Sequence, residues 1–288
     1  MTSHARILSF SLLACLLLAT SSTCHCQNHG AQSTNSVAPA ANQDDVEAAI
    51  ALLCKPADIT RSKTGSISGC KNCPEGTDFR TPNSGDTWTF VGAMTGHFTS
   101  AHEEILAVDG AGCDSHAMNW GGTYIFSRSS GKLRLIRYDQ GLHTDGCHKF
   151  RHADGREFLV CRGGWTGQGE NVSSVFLARF DAAAKDTETT VFVTTDTTGM
   201  CGDDSSRKVD ETRIVDMKFA SKDSGDLTGM TVTATYGKIT CGQAGVKRAP
   251  GVEPQSVKMY ELHYTFDGKQ FTIAAESKAA LNAFPKND

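Results

Sequence analysis

Apolar and polar positions change period once along this chain. Between about Asp45 and Cys54, Val46, Ala49, Ile50 and Leu53 recur at helical spacing on one face. Asp44 stands in N-cap position, Glu47 follows three residues on as in a capping box, and Pro56 ends the segment. From Thr87 onward the period is two. Trp88-Thr-Phe-Val alternates, and so do Tyr124-Ile-Phe-Ser and Leu133 to Tyr138, joined by Ser129-Ser-Gly131. Val175 to Phe180 and Thr190 to Thr194 form a second pair. Val257 to Phe266 and Phe271 to Ala274 form a third, joined at Asp267-Gly268, a strong hairpin signal. A short helix is expected near Glu276 to Ala283. The pattern predicts a mainly β chain with one short N-terminal helix.

The front of the chain reads differently. Ile7 to Ala19 is an apolar run too short to span a bilayer, with Arg6 before it and Thr20-Ser21-Ser22-Thr23 after it. That is the form of an export signal. Cleavage fits after Ala19-Thr20-Ser21 or after Cys24-His25-Cys26. Leu12-Leu13-Ala14-Cys15 also has the form of a lipoprotein box, which would put a lipid anchor on Cys15. The expected organisation is a signal region over 1–26 and a disordered polar linker over 27–43. A helix with a Cys-rich loop follows over 44–86, then a β-repeat domain over 87–288. The expected location is secreted or periplasmic, with lipoprotein anchoring as the alternative.

Export changes how the cysteines are read. Eight lie beyond the signal region, Cys54, Cys70, Cys73, Cys113, Cys147, Cys161, Cys201 and Cys241. In an oxidising compartment an even set reads as a disulfide framework. Cys147 and Cys161 flank two short strands around Asp154-Gly155 and are the first expected bridge; Cys201 with Cys241 is the second. The pairing of the other four stays open. Cys70-Lys-Asn-Cys73 is followed by Pro74 where a haem site needs histidine, and a second zinc-spaced pair is absent. Structural disulfides tying this loop to Cys54 and the body are the expectation.

Three segments resemble one another: Gly96 to Val108 with Phe98, Lys149 to Val160 with Phe150, and Lys218 to Val232 with Phe219. Each carries a Phe, a small or acidic turn, then a β run. The turns are Thr99-Ser-Ala-His102, Asp154-Gly155-Arg156-Glu157 and Asp223-Ser-Gly225. This unit resembles the FG-GAP or VCBS-type repeat of integrin-like propellers. The resemblance implies propeller-like antiparallel blades, about three of them recognisable, with calcium held at acidic turns. A β-sandwich is the alternative architecture.

Net charge is −4 with acids and bases interspersed, which argues against nucleic-acid binding, and no second apolar stretch reaches transmembrane length. His143, Asp145, His148 and His152 fall close together, and on a strand His148 and His152 share a face. These residues could hold zinc or copper; otherwise they are solvated loop and strand residues. Trp165 and Asn171 sit in a glycine-rich segment, Gly163 to Asn171, and Trp120 in a second aromatic loop. Exposed aromatics there would stack on a sugar or on a partner's side chain. No nucleophile elbow, His-Glu-x-x-His helix, phosphate loop or dinucleotide fingerprint is present. The expected function is therefore non-catalytic: an exported or envelope-associated module binding protein or glycan through loops 110–122 and 162–172. The alternative is an exported hydrolase or metalloenzyme using the His143–His152 region.

Overall fold

A computed structural model describes residues 41–75, 87–113, 121–180, 188–223, 225–244 and 254–285. The signal region, Cys15 and most of the linker lie outside the described residues. Helix α1 runs Gln43–Leu53, one turn's edge earlier than expected. The reason is the cap: Asn42, not Asp44, is N-cap, and its side chain accepts from the Asp44 amide at 3.1 Å. Val46, Ala49 and Ile50 are buried as the period required.

Among the described residues fourteen strands follow in three antiparallel meanders. The first holds β1 (Ile59–Arg61), β2 (Ile67–Cys70), β3 (Trp88–Ser100), β4 (Glu103–Ala111), β5 (Gly122–Ser129) and β6 (Lys132–Gln140) in sequence order. The second holds β7 (Cys147–Arg151), β8 (Glu157–Gly167), β9 (Glu170–Ala178) and β10 (Glu188–Asp196). The third holds β11 (Lys208–Ser221), β12 (Leu227–Thr240), β13 (Lys258–Phe266) and β14 (Phe271–Ile273). The chain is thus mainly β, with antiparallel sheets, one of them curled into a half-barrel, and few helices. Cys70 pairs with Trp88 across β2 and β3, so the Cys-rich segment shares a sheet with the β run after it.

The layers follow from which side chains each strand buries. One face of the first sheet takes α1 onto Trp88, Leu106, Val108, Tyr124 and Phe126. Its other face, with Ile105, Ala107 and Ile125, packs on Leu159, Cys161, Phe176 and Ala178 of the second sheet. The alternate residues of those strands, Phe158, Val160, Val175 and Leu177, pack on Val232, Ala234, Leu262 and Tyr264 of the third. β8 is therefore buried on both faces near its start and β9 near its end, and residues 158–161 and 175–178 read as continuous apolar runs. The chain closes with α2 (Lys278–Leu281), and Phe284 behind it inserts edge-on against Phe192 at 5.2 Å.

The hairpin turns obey local chemistry. Ser130 and Gly131 both have positive φ, 52° and 77°, the type I′ geometry that matches strand twist. Asp267 Oδ1 accepts from the amides of Lys269 and Gln270, both at 2.8 Å. The three sequence segments that resemble one another fall on β3–β4, β7–β8 and β11–β12; the second and third open four-stranded sheets, whereas the first lies inside the six-stranded sheet, after β1 and β2.

Among the described residues the four disulfides are Cys54–Cys70, Cys73–Cys113, Cys147–Cys161 and Cys201–Cys241. Both expected pairs are among them, and the remaining two tie the Cys70–Cys73 loop to α1 and to the end of β4. No helix among the described residues is long and apolar enough to cross a membrane.

Candidate binding cleft

The glycine-rich segment read as a loop is for the most part strand. β8 runs through Gly163, Gly164 and Trp165 to Gly167, and the turn is only Gln168-Gly169, both at positive φ. Glycine is required there by close approach: a Cβ on Gly163 would meet the Phe176 ring at 2.8 Å, and one on Gly164 would meet the Val172 carbonyl at 2.0 Å. Side chains alternate across β8, so Arg162 and Thr166 face the third sheet while Trp165 faces the other way. Trp165 is 46% exposed. Asn171 pairs with Thr166 in register and accepts from its hydroxyl at 3.0 Å, so it shares the Arg162 side. Trp165 and Asn171 are therefore on opposite faces. Trp120 lies outside the described residues.

The Arg162 side faces β11, an edge strand of the third sheet. Its unpaired backbone groups are met by side chains from the second sheet. Arg162 Nη2 donates to the Ile214 carbonyl, and Asp196 Oδ2 accepts from the Thr212 amide at 2.9 Å. Thr194 and Thr212 share a hydroxyl hydrogen bond at 2.6 Å, and the Thr197 amide donates to the Asp210 carbonyl at 2.8 Å. These bonds cover an edge that would otherwise invite pairing.

Above them is a cleft of about 560 Å³. Arg162 and Arg213 line it together with the hydroxyls of Thr166, Ser173, Thr198 and Thr235. Asn171, Glu170 and Glu211 complete its polar wall. Burial lowers the pKa of Arg162, and the neighbouring Arg213 guanidinium lowers it further. Among the described residues the Arg162 guanidinium has a carbonyl partner and no carboxylate. The cleft therefore sets the guanidiniums of Arg162 and Arg213 among three carboxylates, Asp196, Glu170 and Glu211, and among donors and acceptors for hydroxyl groups. Nothing in the local sequence marks Arg162 or Arg213, because their meeting depends on which sheets stack.

The histidine segment does not converge. His143 and Asp145 sit at the 3-10 turn Thr144–Gly146, whose cap is His143. His148 is on β7, its ring 4.8 Å from Phe219, and burial lowers its pKa against the opposing pull of Asp216. His148 shares the face of Phe150, which also packs on Phe219, at 4.7 Å. His152 lies beyond the end of the strand with Nδ1 3.2 Å from Asp154 Oδ1. Among the described residues no three His, Cys, Asp or Glu side chains stand close enough to hold a metal ion. Asp154, the best acidic turn, is occupied by Arg156: its carboxylate accepts from Nε at 2.8 Å and its pKa is held down to about 2.

A buried carboxyl that the sequence reading passed over is Asp109, on β4. It is 0% exposed, and Thr144 donates to its Oδ2 through both amide and hydroxyl, at 3.0 and 2.6 Å. Burial raises its pKa, and the hydrogen bonds from Thr144 oppose that rise. It is sealed inside the fold and touches neither the cleft nor solvent. No family, curated protein or solved structure matches the chain.

Proposed function

We propose that this is an exported, non-catalytic binding protein whose β8–β9 hairpin and β11 form a receptor for an acidic glycan. The observation that carries the reading is the lining of one cleft, where the guanidiniums of Arg162 and Arg213 stand among hydroxyls, with Asp196, Glu170 and Glu211 as further acceptors. A guanidinium fork suits a carboxylate or sulfate group, and Asn171, Glu170 and the threonines suit sugar hydroxyls. The four disulfides support export. The placing of the three FG-GAP-like segments on one hairpin in each of the three antiparallel sheets supports a blade-like arrangement of the sheets.

Calorimetry of the oxidised chain against galacturonate oligomers, with neutral glucose oligomers as control, tests this. Saturable binding of the acidic oligomer is expected, weakened at least about tenfold by Arg162→Gln. Recovered ligand should be unchanged in mass. Absence of binding to either oligomer overturns the reading, and cleaved ligand would instead favour the hydrolase alternative.

A further inference from the structure

A second cavity, of about 280 Å³, opens at the other end of β8 and β9, where the end of β3, the β7–β8 turn and the β13–β14 turn meet. Its volume is just under the range of common small-ligand sites, about 300–1,000 Å³. The lining divides by chemistry. Phe98, Phe158, Leu177 and Phe266 form an apolar wall, with the Phe158 and Phe266 rings 5.0 Å apart. The remaining lining side chains include five that are charged or titratable, and three of these are already partnered. Glu157 accepts from the His97 amide at 2.7 Å and pairs with Lys149 at 3.3 Å. Arg156 pairs with Asp154 at 2.7 Å, and His152 sits 3.2 Å from the same carboxylate. Arg179 and Lys269 remain: among the described residues neither side chain makes a hydrogen bond or an ion pair.

We propose that this cavity binds a small carboxylate with an aromatic body, an aryl-alkanoate, independently of the glycan cleft. The aromatic body lies against the four apolar side chains, where its burial is favourable by area. The carboxylate lies at the rim, between Arg179 and Lys269, where its hydrogen bonds are charge-assisted. A neutral analogue keeps the first interaction and loses the second. A bare anion keeps the second and loses the first.

The test is a titration of the oxidised full chain with 4-phenylbutyrate, 4-phenylbutanol and inorganic phosphate, followed by calorimetry. Saturable binding of the acid is expected, with the alcohol and phosphate each at least about tenfold weaker. The double variant Arg179→Gln/Lys269→Gln, at two solvent-facing positions, should weaken the acid at least about tenfold. Arg162→Gln should leave the affinity for the acid unchanged. The proposal is overturned if the acid does not saturate, if acid and alcohol bind alike, or if the double variant binds as the native chain does. It is equally overturned if Arg162→Gln abolishes binding, which would move the acid to the glycan cleft. Loss of galacturonate binding with phenylbutyrate binding intact would remove the glycan reading and leave this one standing.

Discussion

At the scale of single residues the most constrained group is Asp109. Thr123 Oγ1 stands 2.6 Å from Asp109 Oδ1 and 2.6 Å from the Leu142 carbonyl oxygen. A hydroxyl has one hydrogen and cannot donate to both. Both contacts are satisfied together when the carboxyl is neutral, donating to Thr123, which then donates to Leu142. Burial acts in the same direction by raising the carboxyl pKa. The sign of the linkage follows. A raised folded value means that the group's contribution to stability is fully present below its ordinary value of 3.8 and is lost as pH rises through the folded value. Asp109→Asn mimics the neutral acid, with an N–H towards Thr123 and an oxygen towards Thr144. Urea denaturation between about pH 4 and pH 8 should show native stability falling with pH and the variant free of that component. At neutral pH the variant should lie within about 1 kcal/mol of the native chain or above it. Asp109→Ala, which leaves the Thr144 donors unpaired, should lose about 1–3 kcal/mol or more.

At the scale of elements, what could be read from the chain and what could not are both visible in the β7–β10 sheet. The Cys147–Cys161 bridge was legible because it spans one hairpin, and Cys147 does stand opposite Cys161 in register. The β5–β6 turn was legible in Ser129-Ser-Gly131, since turn chemistry is local. The segment around Gly163 was misread because glycines there serve a tight contact with Phe176 and the Val172 carbonyl rather than a flexible loop. The helix start was displaced by a capping side chain two residues earlier than the one chosen. The bridge carries a prediction. Its cysteines are 14 residues apart, and in the loop-entropy account a loop of that size is worth about 3 kcal/mol. Cys147→Ala/Cys161→Ala should therefore lose about 3 kcal/mol in guanidinium denaturation while keeping its far-ultraviolet β signal. An unchanged midpoint and slope would mean that strand packing alone holds the hairpin.

At the scale of the whole molecule, function depends on what the sheets bring together, and that was not legible. Period-two patterning tells which residues share a face of one strand. It does not tell that the faces of β8 and β9 carrying Val160 and Val175 meet the third sheet. That stacking brings Arg162 of β8 next to Ile214 of β11 and so builds the cleft. The histidines near His148, which carried the alternative reading, are close in sequence, but among the described residues they form no group able to hold a metal ion. The most direct measurement is an amide chemical-shift titration of the labelled, oxidised chain with galacturonate oligomers. The account predicts saturating shifts clustered at Arg162, Thr166, Asn171 and Arg213, with Trp165 and His148 to His152 unmoved. Shifts centred on the histidine segment, or none at saturating ligand, would contradict it.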